Sequence, residues 1–163
     1  MTLRVVLMGV AGSGKTSVGL ALSDRMGIPY RDGDDLHPAA NVAKMRAGVP
    51  LTDEDRWPWL DRVAEALRRD APLIVGCSAL KRIYRDRLRA GAGEVRFVHL
   101  AGRRDLIAAR MATRKGHYMP LSLLDSQFAA LEPPGPDEGT TIDIDQPLDA
   151  LAERVAAHLS APP

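Results

Sequence analysis

The stretch Gly9-Val10-Ala11-Gly12-Ser13-Gly14-Lys15-Thr16 matches G-x-x-x-x-G-K-[ST] at every fixed position, the pattern of a phosphate-binding P-loop. Each position has a chemical reason. Glycine at 9, 12 and 14 lets the backbone take conformations closed to residues with a side chain, so that successive N–H groups converge on phosphate oxygens. Lys15 sets a positive charge against the outer phosphates, and the Thr16 hydroxyl is the expected inner ligand of Mg²⁺. A helix starting here adds the positive end of its dipole. The flanks agree with this reading. Leu3 to Met8 is a short β-branched run that reads as a buried parallel strand. Ser17 to Met26 places Val18, Ala21, Leu22 and Met26 near helical spacing. Strand, glycine loop and helix in this order imply a nucleoside triphosphate site at residues 9–16.

Working outward, Ile28-Pro29-Tyr30-Arg31 reads as a second strand ending at Asp32-Gly33-Asp34-Asp35. Acidic residues at the carboxyl end of a strand stand where open α/β sheets place their ligands. On an extended backbone Asp32 and Asp34 would point the same way, one toward a metal and its neighbour toward an acceptor hydroxyl. Pro38 to Ala47 reads as a helix with Val42 and Met45 on its apolar side and Gly48 as its stop. His37 either caps that helix or touches the acceptor. Thr52 and Asp55 stand at capping-box spacing. Pro58 argues for a short turn first and a main helix from about Pro58, with Leu60, Val63, Ala64 and Leu67 buried. Trp57 and Trp59 read as packing residues, and Arg56 as an ion-pair partner or a substrate clamp.

Leu73 to Ser78 is the next buried strand, and no acid follows it, so the magnesium-supporting carboxylate falls to Asp32. Cys77 reads as a small buried hydrophobe. Lys81, Arg82 and Arg85 open a helix on which Leu80, Tyr84 and Leu88 share a stripe. Much of this basic run reads as solvated surface, with Lys81 the candidate for substrate. After a strand at Val95 to Leu100, a helix from Asp105 to Arg114 turns Ile107, Ala108 and Met111 inward. Arg110 and Arg114 are neighbours on one of its faces. Gly116 and Pro120 bracket a break before the next helix, Ser122 to Leu131, and the two arginines suggest a lid over phosphates, at about residues 110–125. Thr140 to Asp145 is the last strand, and Pro147 opens a final helix with Leu148, Leu151, Val155 and Leu159 toward the core. Five strands alternating with helices make one α/β domain over residues 1–163 with a parallel sheet.

The 163 residues are 45% hydrophobic and 26% charged, with 22 basic and 21 acidic side chains and a net charge of +1. That balance argues against a nucleic-acid partner, which calls for a strong basic excess. The single cysteine excludes an internal disulfide and suits a reducing cytosol. No apolar run reaches spanning length, and Met1-Thr2-Leu3-Arg4 enters the first strand directly. A cytoplasmic protein with no membrane contact and no signal peptide is therefore expected.

MGVAGSGKT (8–16), DGDDLHPAANVAKM (32–45), PLTDEDRWPWL (50–60), CSALKRIYRD (77–86), ARMATRKGHYM (109–119), LDSQFAALEPP (124–134) and DIDQPL (143–148) together resemble the bacterial gluconokinases of the small P-loop type. The first is shared by many NTPases, and the conjunction with the second, fourth and fifth carries the specificity. The resemblance implies ATP-dependent phosphorylation of D-gluconate to 6-phospho-D-gluconate on a P-loop fold like that of shikimate and nucleoside-monophosphate kinases. It implies the P-loop strand at the centre of the sheet, Mg²⁺, a mobile helical lid and a homodimer. By position, Lys15 and Thr16 would hold phosphates and metal, Asp32 would support magnesium, and Asp34 would orient or deprotonate the acceptor hydroxyl. His37, Arg56, Lys81 and His117 would contact the acceptor; Arg110, Arg114 and Lys115 would belong to the lid; Asp145-Gln146-Pro147 would lie by the adenine. A kinase for shikimate or a nucleoside monophosphate would share everything up to the acceptor pocket. A nucleotide-dependent switch would need no acceptor at all.

Overall fold

Val5, Val6, Leu7 and Met8 are all fully buried, as a strand covered on both faces requires. They form β1 (Arg4–Met8), the middle strand of a computed structural model that describes residues 2–113 and 121–161. Around it lie β2 (Tyr30–Asp32), β3 (Leu73–Gly76), β4 (Arg96–Ala101) and β5 (Gly139–Asp143), in the order β2-β3-β1-β4-β5. Every neighbouring pair is parallel, with Val6 opposite both Val75 and Phe97. The five-stranded parallel sheet and the central P-loop strand are as expected.

Side-chain alternation builds two cores. Val6, Met8, Val75 and Phe97 face α3 (Asp53–Arg69) and α4 (Arg82–Ala92), meeting Leu60, Val63, Leu67 and Leu88. Val5, Leu7, Ile74, Val98 and Ile142 face the other way, toward Val18 and Leu22 of α1 (Lys15–Met26) and Leu151, Val155 and Leu159 of α7 (Leu148–Ser160). Ile107 of α5 (Arg104–Ala112) and Leu124 of α6 (Leu121–Ala130) close that second core beside the P-loop. A Cβ at Gly19 would come within 2.2 Å of the Tyr30 ring, so its absence lets α1 lie close on β2. Among the described residues no helix is long and apolar enough to cross a membrane.

Four expectations need correction. First, α3 is one helix running through Pro58. Proline in its second turn removes one hydrogen bond, to the carbonyl of Glu54. Both residues are exposed, so that carbonyl is open to water, while the Thr52/Asp55 capping box holds the start. Second, α2 (Ala39–Arg46) buries Asn41 and leaves Met45 exposed, because the polar Asn41 finds buried partners. Third, Leu148 is exposed on the cleft side of α7 rather than in the core, being the first residue after Pro147, before the helix turns inward. Fourth, Arg85 is not solvated surface: its side chain is 1% exposed and paired with Glu138 at 2.9 Å.

Because α3 tolerates Pro58 only with a well-fixed start, Thr52→Ala is expected to cost about 1 kcal/mol. In a chain of this size that lowers Tm by about 3 °C, read in a thermal melt.

Candidate active site

The chain leaves β1 into the P-loop, where Gly12 (φ +80°) and Gly14 (φ +96°) take the left-handed conformations that L side chains avoid. Gly14 precedes α1 and supplies no side-chain cap. The first intrahelical bond is Val18 N–H to Gly14 O at 2.9 Å. The N–H groups ahead of that bond lie in the first turn of the helix, directly after the loop, which is where an anion site at a helix N-terminus stands. Lys15 Nζ donates to the carbonyls of Gly9 and Val10 at 2.9 and 3.0 Å, folded over the loop it serves. Ser13 Oγ is buried with no hydrogen-bond partner among the described residues.

A cleft of about 320 Å³ opens beside this loop, lined by Gly12, Ser13, Gly14, Ser17 and Val18 on one side. Arg110, Gln146, Leu148 and Leu151 line the other. Arg110 is held there by donating to the Ile144 carbonyl at 2.9 Å. The cleft thus joins the P-loop to the Gln146-Pro147 turn, the place the resemblance reserves for the adenine.

Asp32 ends β2, opposite Gly76 of β3. The chain then turns at once into a 3-10 helix, Gly33–Leu36, whose N-cap is Asp32. Its Oδ1 accepts from the Asp34 N–H at 2.9 Å. The reading of Asp32 and Asp34 as parallel side chains on an extended strand is therefore corrected: glycine at 33 and a capping aspartate favour a turn. The two carboxylates remain within electrostatic reach of each other. Partial desolvation pushes Asp34 above the usual carboxylate range, Asp32 pushes it further, and Lys15 pulls it partly back. Its side chain is still 77% exposed, open to a ligand.

His37 follows, its side chain 3% exposed and stacked on Trp59 with ring centroids 4.1 Å apart. Trp59 is more than packing, since its indole N–H donates to Gly33 O at 2.7 Å and ties α3 to the Asp34 turn. Asn41 donates to the Asp55 carbonyl at 2.9 Å, which fixes its amide orientation. The same NH₂ group faces His37 Nδ1 at 3.2 Å. Nδ1 is then the acceptor and Nε2 carries the proton, an assignment made from these partners. Burial, helped by the charge of Arg56, lowers the imidazole to about 4, so His37 is neutral at neutral pH. Its Nε2 stands 3.9 Å from Asp34 Oδ1, beyond hydrogen-bond distance.

Beyond His37, Arg56 and Lys81 meet over one aromatic ring. The Arg56 guanidinium lies 5.4 Å and Lys81 Nζ 5.7 Å from the centroid of Tyr84. Arg56 also donates to Leu51 O at 2.6 Å, and Lys81 sits 3.5 Å from Asp53 Oδ1. Of the expected acceptor residues, Asp34, His37, Arg56 and Lys81 are thus linked in one chain of neighbours, with Asp34 within electrostatic reach of Lys15 in the P-loop. Arg110 lines the cleft beside the P-loop. Arg114, Lys115 and His117 lie outside the described residues. Cys77 is buried, and desolvation pushes its thiol up to about 12, which suits a packing role.

Three contributors to this site carry no role in the reading above. Asn41 is four residues beyond His37, a helical-neighbour spacing that could have marked it. Ser17 extends the loop motif by one residue. Gln127, whose Oε1 accepts from the Ala11 N–H at 2.6 Å, had no local signal.

Thr16 and Asp32 offer hard oxygen donors, and the crowding of Asp32 against Asp34 leaves negative charge for a cation to offset. Among the described residues no group of three or more His, Cys, Asp or Glu is arranged to hold a metal ion. The residues present fit Mg²⁺, which binds through few protein oxygens and keeps phosphate and water ligands.

No family model matches the chain. It is 48% identical over 144 residues to the thermosensitive gluconokinase of Escherichia coli, covering 86% of this chain and 77% of that one. With the gluconokinase of Gluconobacter oxydans the identity is 43% over 162 residues, covering 96% and 91%. The crystal structure of a gluconokinase from Sinorhizobium meliloti superposes with a TM-score of 0.90 at 48% identity, covering 97% of this chain and 91% of that one. A P-loop at the central strand, an acidic turn beside it and relatives of matching length agree: the chain belongs to the gluconokinase family.

Proposed function

We propose that the chain transfers the γ-phosphoryl group of ATP to the primary hydroxyl of D-gluconate, giving ADP and 6-phospho-D-gluconate. The observation that supports this reading is the row of neighbours running from Asp34 through His37 and Arg56 to Lys81, with Asp34 in electrostatic reach of Lys15 in the phosphate loop. That row holds one carboxylate for a hydroxyl and two cations for the acceptor's own carboxylate.

In the reaction the acceptor O–H breaks, its oxygen bonds to the γ-phosphorus in line, and the bond from that phosphorus to the ADP oxygen breaks. Asp34 takes the proton. Arg56 and Lys81, already held by Leu51 O and Asp53, hold the anionic end of gluconate. His37, kept neutral and pinned by Asn41 and Trp59, presents its Nε2–H toward Asp34 and the acceptor. The loop N–H groups and Lys15 hold the phosphates. Arg110 holds the nucleotide from the opposite wall; the resemblance adds Arg114 and Lys115 to the nucleotide's partners and His117 to the acceptor's. Mg²⁺, held through Thr16 with the support of Asp32, neutralises phosphate charge when bound. Positioning and charge neutralisation supply most of the rate, because the transfer asks little covalent chemistry of the protein. A lid over about residues 110–125, a homodimer and a cytosolic location belong to the same reading and are supported by the family resemblance.

The test is ADP production from Mg·ATP with and without D-gluconate, with shikimate, other sugar acids and nucleoside monophosphates in parallel. Strong dependence on gluconate, with 6-phosphogluconate as product, is expected. Turnover only with another acceptor would overturn the substrate, and turnover indifferent to every acceptor would favour a nucleotide switch.

A further inference from the structure

Helix α6 ends against two loops of the site at once. Gln127 Oε1 accepts from the backbone N–H of Ala11, the third residue of the P-loop, at 2.6 Å. One turn on, Glu132 N–H donates to the Leu80 carbonyl at 2.7 Å. The Glu132 carboxylate accepts from the Arg82 N–H at 2.8 Å. The segment just after α6 thus grips the β3–α4 loop that carries Lys81. That loop returns to the P-loop through Gly9 N–H and Ser78 O at 3.2 Å. The earlier part of α6 is fixed by the buried Leu124 and by the ion pair of Asp125 with Arg104 on α5.

The Ala11 contact has a specific chemistry. Ala11 sits between Gly9 and Gly12, in a loop whose glycines have no side chains to pack and so rely on backbone hydrogen bonds for their shape. Gly9 is anchored by Ser78 and Ser13 by the Val10 carbonyl, whereas Ala11 is anchored from another element altogether. A glutamine amide oxygen accepts that N–H without bringing negative charge to a loop whose ligand is a polyanion, as a carboxylate would.

We propose that Gln127 is a positioning residue for the phosphate-binding loop. It holds the Ala11 backbone in its phosphate-accepting shape and couples that shape to the placement of α6, the helix that follows residues 114–120. The inference rests on the ATP-dependent reading above.

The experiment compares wild type, Gln127→Ala and Gln127→Glu by amide hydrogen exchange at Ala11 and by steady-state kinetics in each substrate. Gluconate-dependent turnover of the wild type checks the underlying reading separately. In Gln127→Ala the Ala11 amide is expected to lose protection. KM for ATP should rise about three- to tenfold, the size of one lost hydrogen bond, with KM for gluconate unchanged. Gln127→Glu should keep the amide protected, because a carboxylate still accepts, yet bind ATP more weakly through its charge. Unchanged Ala11 exchange in Gln127→Ala would overturn the inference, as would equal shifts in both KM values, which mark a residue that only packs α6.

Discussion

Asp34→Asn is expected to lose phosphoryl transfer on the proposed mechanism, with kcat falling about a thousandfold, the middle of the range for a general base, while ATP still binds. The amide is nearly isosteric, and the Asp34 backbone N–H keeps its bond to Asp32, so the turn survives. On the proposed mechanism, what disappears is the carboxylate that takes the proton of the acceptor hydroxyl. The pH profile makes a second check. As the proposed base, Asp34 must be ionised to take a proton, and its pKa is raised by partial desolvation and by Asp32. The wild-type rate should therefore fall as pH drops through a value above the ordinary carboxylate range, and the residual rate of Asp34→Asn should lack that limb. His37, already neutral down to about 4, does not add a limb near neutrality. Nucleotide binding measured by calorimetry separates the roles: if it vanishes together with turnover, Asp34 holds metal or structure instead of the hydroxyl.

How much of this was legible in the sequence depends on the range of the interaction. The P-loop is local, and its glycines, lysine and threonine appear where the motif puts them. Strand burial was legible in the same way, because a parallel strand covered on both faces must read as an unbroken apolar run. Asp34 and Lys81 could be singled out because each follows the carboxyl end of a strand, β2 and β3. The misses have physical reasons. Pro58 looked like a helix breaker because the rule concerns a lost N–H, yet the freed carbonyl of Glu54 lies on an exposed stretch. Asp32 and Asp34 were placed on an extended backbone although Gly33 between them permits a turn. Leu148 fits the apolar period of α7 but sits before the helix packs down. The Gln127–Ala11 bond spans 116 residues and that of Arg85 with Glu138 spans 53, and no periodicity encodes such pairs.

Arg85→Met is the second large effect, and it falls on stability. Arg85 donates to the carbonyls of Ala79 and Leu80 at 2.8 and 3.2 Å. It also reaches Glu132 O at 2.8 Å and both oxygens of Glu138 at 2.9 and 3.2 Å. Methionine fills much of the volume but satisfies none of these acceptors. Glu138, 3% exposed, keeps, among the described residues, only Arg89 at 3.1 Å and Arg82 at 3.7 Å. Breaking a buried pair from one side costs about 3–5 kcal/mol, which lowers Tm by about 10 °C or more at this chain length. The acid limb gives an independent signature. Burial alone would raise Glu138, but the hydrogen bond from Arg85 overrides it and, with Arg89 and Arg82, holds the carboxyl at about 2 against an ordinary 4.5. A depressed carboxylate contributes stability that is complete above its unfolded value and lost as pH falls toward the folded one. Wild-type stability should therefore decline between about 4.5 and 2, and Arg85→Met should show a shallower decline there from a lower plateau. Glu138→Gln should cost less, since its amide oxygen still accepts from Arg85 and the carbonyl contacts remain. Because the same guanidinium fixes the chain just before Lys81, any Arg85→Met enzyme folded at low temperature should bind gluconate more weakly while ATP binding changes less. A stability loss below about 1 kcal/mol, the size of a single ordinary hydrogen bond, would mean that Arg85 is replaceable by water and that the bonds of the β3–α4 loop to Glu132 and Gly9 suffice to hold it.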